Sequence, residues 1–311
     1  MQNAGEEASQ IGSSAALDLG DVIFSQYREV GTLLWRGFTV QQCADQCFAT
    51  VDDQSKGRQM PVHYGSRELN FQTISSPLAT QIPQAAGAAY ALKMAKKQNV
   101  AVVYFGDGAA SEGDFHAGMN IAATRECPMI FFCRNNGYAI STPISDQFRG
   151  DGIISRAAGY GMRAIRVDGN DLFAVYQATE EARRIALENN CPVLIEAMTY
   201  RKGHHSTSDD STRYRSVDEI KDWESFNDPL KRYRNYLTDQ GLWTQEWEDK
   251  IRQDERNDVM AALESSETKP HPPLENLFED VYFEKLPHIQ KQEDELKAHV
   301  ALHEGHYTKK H

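Results

Sequence analysis

Gly106, Asp107 and Gly108 stand directly behind the apolar run Val100 to Phe105, and Asn135 and Asn136 follow the next apolar run, Met129 to Cys133, after Arg134. A carboxylate and an amide oxygen in these places suit magnesium. That hard cation takes oxygen ligands at octahedral corners and commonly combines one or two carboxylates with phosphate oxygens. Glycine on either side of Asp107 lets backbone approach a diphosphate closely. A helix expected to begin near Ser111 would add free N–H groups and a positive dipole end. The pattern therefore predicts a site for magnesium and a diphosphate.

Such a site needs elements that bring Asp107 and Asn136 together. From Asn99 to about Met198 the chain alternates short apolar runs with helical stretches, the pattern of a parallel sheet with crossover helices. The runs are Val100 to Phe105, Met129 to Cys133, Ala164 to Val167 and Val193 to Met198. In a doubly wound sheet, ligands bind outside the carboxyl ends of the strands, where Asp107 and Asn136 would both lie. Between the last two runs, Leu172, Val175, Tyr176, Ala182 and Ile185 recur at helical spacing over Asp171 to Asn189, with Asn170 or Asp171 as the cap. Pro83 to Lys97 is rich in alanine and predicts a close-packed helix.

Beyond Tyr200 the composition changes. Arg201 to Glu219 is polar with almost no aliphatic residue, which predicts a long surface loop, functional or disordered. Val217 to Ser265 is charged and helical, and Lys269 to Pro273 interrupts it. Further on, Leu277 to Leu286 is followed by an amphipathic stretch from His288 to His303, in which Ile289, Leu296 and Val300 share a narrow face. The expected class is α/β, a doubly wound and mainly parallel sheet at 1–215 that includes the loop at 201–219, with a helical C-terminal extension at 216–311.

Two controls sharpen the motif. Gly150, Asp151 and Gly152 repeat the tripeptide, but no apolar strand precedes them and no asparagine pair follows, so this copy predicts a turn. A nicotinamide fold would need G-x-G-x-x-G, yet the sixth position is Ser111, and Arg134 stands where that fold's acidic residue would end the next strand. The formal charge of -12 repels nucleic acid and anionic lipid. No apolar run approaches the roughly 18 residues of a membrane span, so neither nucleic acid nor membrane is an expected partner. Five cysteines without a C-x-x-C pair argue against a disulfide framework or a zinc site. Cys43 and Cys47 are expected as buried thiols on one helix face. No transit peptide is expected, because Arg28 is the first basic residue and Glu6, Glu7, Asp18 and Asp21 precede it.

The spacing of GDG and NN resembles the thiamine diphosphate motif. Around it, GDGAASEGDFHAG, FFCRNNGYAIST, IRVDGND, AMTYRKGHHSTSDDS and RYRSVDE are similar to the alpha subunits of the mitochondrial branched-chain 2-oxoacid dehydrogenases. The likeness runs from Gly5 to Tyr307. Pyruvate-specific relatives are similar around GDG and NN, but SSPLATQIPQAAG and GHHSTSDDS match the branched-chain wording.

The resemblance implies thiamine diphosphate and Mg2+, with Asp107, Asn136 and the backbone carbonyl of Tyr138 as magnesium ligands. It places Gln26, Tyr27 and Arg28 at the cofactor, Arg28 as a charge-assisted partner for diphosphate oxygens. It also places there Ser76 and Leu78, the latter as a hydrophobic wedge, and gives the diphosphate pocket Gly106, Gly108, Ala109 and Arg134. Ser75, Pro77, Thr80 and Gln81 match a K+ site. His205 is implied as a catalytic proton donor. The implied reaction decarboxylates a branched 2-oxo acid, the cofactor ring accepting the electron pair, and passes the acyl group to a lipoyl group on a transacylase core.

A beta subunit, in an alpha2beta2 heterotetramer, is implied to supply the activating glutamate, so the chain alone would be inactive. Ser206 and Ser216 match phosphorylation positions, which implies a regulatory kinase and phosphatase, and the implied compartment is the mitochondrial matrix. The family pattern normally carries a targeting segment and an ordered stretch before the position that matches Met1, and relatives can carry Glu where Asp107 stands. The rival readings are the same chemistry on pyruvate, and a truncated non-catalytic regulatory form.

Overall fold

The computed structural model describes residues 3–307. Its centre is a six-stranded, wholly parallel sheet. The strands are β1 (Val22–Phe24), β2 (Phe71–Gln72), β3 (Ala101–Gly106), β4 (Met129–Asn135), β7 (Arg163–Asp168) and β8 (Val193–Met198), in the order β2-β1-β3-β4-β8-β7. The two remaining strands, β5 (Tyr138–Ala139) and β6 (Thr142–Pro143), form a separate antiparallel hairpin. The four apolar runs of the sequence are thus β3, β4, β7 and β8. β1 and β2 are additional, too short to stand out as apolar runs. Every residue of β4 is buried, and β3 is buried up to Phe105, as a strand covered by helices on both faces requires.

The alanine-rich helix spans Gln81–Met94 and packs beside the helix Gly113–Thr124. Phe105, Phe115, Met119 and Phe131 lie with its alanines in one buried cluster. The helix Leu172–Asn189 begins under Asp171, whose carboxylate accepts from the N–H groups of Phe173 and Ala174, both at 3.0 Å. Asn170 instead accepts from the Thr199 hydroxyl at 3.2 Å. Among the described residues no helix is long and apolar enough to cross a membrane.

Two compact units are present. One comprises the chain up to Phe38 together with Gly65–Glu248 and contains the sheet; the other comprises Thr39–Tyr64 and the chain from Asp249 onward. The helices Val217–Phe226 and Pro229–Asp239 belong with the sheet. Trp223 stacks on Tyr200 with centroids 4.8 Å apart, and Arg232 pairs with Asp168 at 2.7 Å and Asp171 at 3.1 Å.

In the second unit, buried Asp45 accepts from Ser266 at 2.8 Å and Lys269 at 2.9 Å. Cys43 and Cys47 do share the helix Val40–Phe48 but are half-buried rather than buried, and burial pushes the Cys43 thiol up to about 11. On the helix Pro287–Leu302 the half-buried stripe of Ile289, Leu296 and Val300 also contains a buried carboxylate, Glu293, paired with Lys285 and Lys297.

Candidate functional site

Behind β1 the chain turns around a buried carboxylate. Glu29 Oε2 accepts from Ser25 Oγ at 2.5 Å, from the N–H of Gln26 at 2.9 Å, and from those of Tyr27 and Arg28 at 3.2 Å. The turn aims Gln26, Tyr27 and Arg28 at the carboxyl end of the sheet. Gln26 Oε1 accepts from the N–H of Gly106 at 2.8 Å, which ties this turn to the end of β3. Arg28 Nη2 donates to the carbonyl of His205 at 2.5 Å.

Asp107 follows β3 and is 1% exposed. Burial pushes its carboxyl above the usual range, against a hydrogen bond from Gln147 Nε2 at 2.8 Å. The next residues form a 3-10 turn, Gly108–Ser111, and the α-helix starts only at Gly113, because extended Glu112 separates the two. The helix expected near Ser111 is therefore displaced. Gly108 is needed for close approach: a Cβ there would lie 2.7 Å from that of Ala139 in β5.

The two asparagines behind β4 do different things. Asn135 Nδ2 donates to Glu196 Oε1 at 2.8 Å, away from the crevice, and Glu196 also accepts from the N–H groups of Ile153 at 2.8 Å and Ile154 at 3.0 Å. The second GDG sits on that same carboxylate. Gly152 adopts φ +67, and a Cβ there would come within 2.7 Å of Glu196, so this copy is the turn expected of it. Asn136 instead donates through Nδ2 to Glu6 Oε1 at 2.8 Å. Arg134 is fully buried between two carboxylates, donating to Glu6 Oε2 at 2.8 Å and pairing through Nε with Glu29.

The loop behind β8 is ordered from within, not a plain solvated surface. Arg201 and Arg215 are 2% and 4% exposed. Arg215 donates to the carbonyls of Arg201, Lys202 and Gly203 and lies over the rings of Tyr138 and Tyr200. Arg201 Nη2 donates to the carbonyl of Ile140 and to the Tyr214 hydroxyl, each at 2.8 Å. Polar residues order this loop because its guanidinium groups satisfy its carbonyls.

His205 Nδ1 lies 3.3 Å from Arg28 Nη2 and 3.1 Å from Arg201 Nη1. Guanidinium groups only donate, so Nδ1 must accept and the ring proton sits on Nε2. Burial, then Arg28 and Arg201, push the imidazole down to about 4, against Asp209. The sign follows from the two states. The unfolded histidine takes its proton near 6.5 and the folded one near 4, so this group subtracts stability as pH falls through that window and adds no further loss below it. An anion placed against Arg28 would oppose these cations. We expect the His205 ring signals, followed by NMR, to titrate near 4 in the free chain and about one unit or more higher with a diphosphate bound; an unmoved midpoint would place the anion elsewhere.

One pocket gathers these side chains. Gln26, Tyr27 and Arg28 line it from β1; Gly106, Asp107, Gly108 and Ala109 from β3; Arg134, Asn136 and Tyr138 from β4 and the hairpin; Leu78 and His205 line it too. Ser76 is exposed outside it, as are Ser75 and Pro77. Thr80 Oγ1 donates to the Pro77 carbonyl at 3.2 Å, and buried Gln81 donates to the Tyr104 carbonyl at 3.1 Å. Ser206 is half-buried one residue beyond His205. Ser216 caps the helix Val217–Phe226, accepting from the N–H of Glu219 at 3.0 Å.

Sequence reasoning missed Arg201, Ala139 and Ile140 in the lining, and Glu6 and Glu29 behind it. Arg201 had a signal: it follows the carboxyl end of β8, beside β4. Glu6 had none.

The donors fit magnesium with a diphosphate. No group of three or more His, Cys, Asp or Glu with metal-holding geometry occurs among the described residues. Instead Asp107, Asn136 and Tyr138 line the pocket, able to offer a carboxylate, an amide oxygen and a backbone carbonyl, a set that phosphate oxygens would complete. A cation would offset the burial of Asp107. Gly106 leaves room for the anion, since a Cβ there would meet nothing nearer than Gln26 Oε1 at 3.9 Å.

The family model described as dehydrogenase E1 component matches residues 1–275. The chain is 57% identical over 311 residues to the protein named 2-oxoisovalerate dehydrogenase subunit alpha, mitochondrial, of Macaca fascicularis, covering 100% of this chain and 70% of the relative. Proteins of the same name from Caenorhabditis elegans and Dictyostelium discoideum are 56% and 53% identical over 308 residues, 99% of this chain and 71% and 70% of theirs.

Proposed function

The chain belongs to the dehydrogenase E1 component family, and from that membership we propose that it is the alpha subunit of a branched-chain 2-oxoacid dehydrogenase, an oxidoreductase contributing half of a thiamine diphosphate site. The observation that carries this reading is the meeting of Asp107, Asn136 and Arg28 in one pocket at the carboxyl ends of adjacent parallel strands. Thiamine diphosphate supplies the electron sink that makes loss of carbon dioxide from a 2-oxo acid possible.

This chain's residues hold and orient it. Asp107, Asn136 and the Tyr138 carbonyl would take magnesium, and Arg28 would take diphosphate charge while steadying the His205 loop through the 205 carbonyl. Leu78 offers an apolar surface at the pocket's edge. With Nδ1 engaged by two arginines, neutral His205 keeps its proton on Nε2, from which it would offer a hydrogen bond during acyl transfer to a lipoyl group; to give up a proton it would first have to take one up as imidazolium, which an anion on Arg28 favours.

The proposal extends to a beta subunit carrying the activating glutamate in an alpha2beta2 heterotetramer, to a lipoyl-bearing transacylase core, and to the mitochondrial matrix; the relatives' names support it as far as an alpha subunit and a mitochondrial protein. Ser75, Pro77, Thr80 and Gln81 are proposed for K+. The cofactor-binding part is proposed to lie within 1–215. Calorimetry of thiamine diphosphate binding to the chain assembled with its beta subunit, with and without magnesium, tests the reading. Magnesium-dependent binding is expected. Its absence would leave the non-catalytic form as the reading. Turnover of 3-methyl-2-oxobutanoate well above that of pyruvate is expected, and the reverse preference would move the assignment to pyruvate.

Ser206 and Ser216 are proposed acceptors for a regulatory kinase and substrates of a phosphatase. The turn at Ser206 already holds a carboxylate: Asp209 accepts from the N–H of His205 at 2.7 Å and donates its own N–H to the Ser206 carbonyl at 3.3 Å. A second negative charge at 206 would repel Asp209 and a diphosphate on Arg28, loosening the loop. Ser206→Glu in the assembled enzyme is expected to lower overall activity about tenfold or more, a coupling of about 1.4 kcal/mol. Full activity would remove Ser206 as a control point.

A further inference from the structure

We propose that Glu6 is a positioning residue for the metal site, fixing which end of the Asn136 amide faces Asp107; this rests on the magnesium reading above. Glu6 is 1% exposed, and its two oxygens have separate tasks. Oε1 accepts from Asn136 Nδ2 at 2.8 Å, and Oε2 accepts from Arg134 Nη1 at 2.8 Å.

An asparagine amide is nearly symmetric in shape but not in chemistry. One end has two N–H donors and repels a cation; the other has an oxygen that can ligate it. Nothing in the covalent structure of Asn136 chooses between the two orientations. An ionised carboxylate chooses, because it can only accept and therefore captures the NH2 end. Oδ1 is then turned the other way, where it accepts from the N–H of Tyr138 at 3.3 Å and keeps a second lone pair, in the pocket that Asn136 lines together with Asp107 and Tyr138.

The carboxylate is itself held. Arg134 is locked to Glu6 on one side and to Glu29 on the other, so neither Glu6 oxygen is free to turn toward the pocket. Glu6 is consequently not a ligand, although it is the acid nearest in bonding to the metal-side asparagine. It acts through Asn136, as outer partners of metal ligands generally do.

The test uses the full chain assembled with its beta subunit and reads metal affinity directly. Binding of Mn2+ followed by EPR, and the magnesium dependence of thiamine diphosphate binding by calorimetry, report it without turnover. Glu6→Gln is expected to weaken both by roughly 10- to 100-fold. The introduced amide satisfies Arg134 with its oxygen and presents NH2 to Asn136, which must then turn its own NH2 toward the metal. Combining Glu6→Gln with Asn136→Asp should restore affinity to at least tenfold better than either single change, because the introduced carboxylate accepts from the introduced amide and has no donor end to misplace.

Wild-type metal affinity in Glu6→Gln, or a double variant no tighter than Asn136→Asp, would overturn the proposal; the second comparison holds even where Glu6→Gln alone fails to fold. Loss of metal dependence in the wild-type enzyme would instead remove the site itself.

Discussion

Asp107→Ala, assembled with its beta subunit, is expected to lose metal affinity by at least about 100-fold, since even outer partners of metal ligands cost about 10- to 100-fold and Asp107 is the carboxylate proposed to touch the ion. Calorimetry of magnesium-dependent thiamine diphosphate binding measures this directly. The metal-free chain should respond in the opposite sense. Burial pushes the Asp107 carboxyl up, so the folded state binds that proton more tightly than the unfolded state does. Stability therefore falls as pH rises from the ordinary carboxylate range through the raised folded value, and the full penalty is present above that value.

Asp107→Asn removes that charge and can keep an oxygen for Gln147. Its metal-free thermal midpoint at pH 7 is expected to exceed wild type while its metal affinity falls. A site that is costly when empty and stabilising when filled is one held in place for its ligand. A variant that lost stability and affinity together would make Asp107 a packing residue.

Arg134→Met is expected to destabilise the chain by about 3–5 kcal/mol, the usual cost of removing one partner from a buried ion pair. Arg134 is fully buried, and its guanidinium neutralises Glu6 and Glu29 at once. Methionine fills similar volume, so packing changes little and two carboxylates are left facing each other in a dry interior. Denaturant unfolding of the metal-free chain measures the loss.

The effect should spread in a defined direction. Glu29 gathers the N–H groups of residues 26–28, so the turn that presents Arg28 would loosen, and Glu6 would release Asn136. Arg134→Lys is expected to recover only part of the stability, because one ammonium cannot reproduce the fork that reaches both acids. A loss below about 1 kcal/mol in Arg134→Met, the range of an exposed pair, would show that the clamp is not structural.

How much of this was legible in one dimension depended on distance along the chain. Asp107 and Asn136 could be read because each follows an apolar run directly: a strand fixes where its carboxyl end lies, and a short glycine turn fixes what comes next. β3, β4, β7, β8 and the helix Leu172–Asn189 were legible for the same local reason, a periodic apolar face or an unbroken buried run. β1, with three residues, was not, although it carries Gln26, Tyr27 and Arg28 into the pocket. Nor was the grouping of Thr39–Tyr64 with the chain beyond Asp249.

Family wording could name Arg134 as a pocket residue but not show that its guanidinium is spent on two acids. Sequence alone determined that GDG and NN stand behind two parallel strands, the pattern proposed to take magnesium and a diphosphate. Tertiary structure alone decided what holds it: Glu6 meets Arg134 and Asn136 across 128 and 130 positions, and Arg28 meets His205 across 177. Such contacts leave no periodicity or spacing in the chain, because a buried charge needs a partner in space and the fold is free to bring that partner from anywhere.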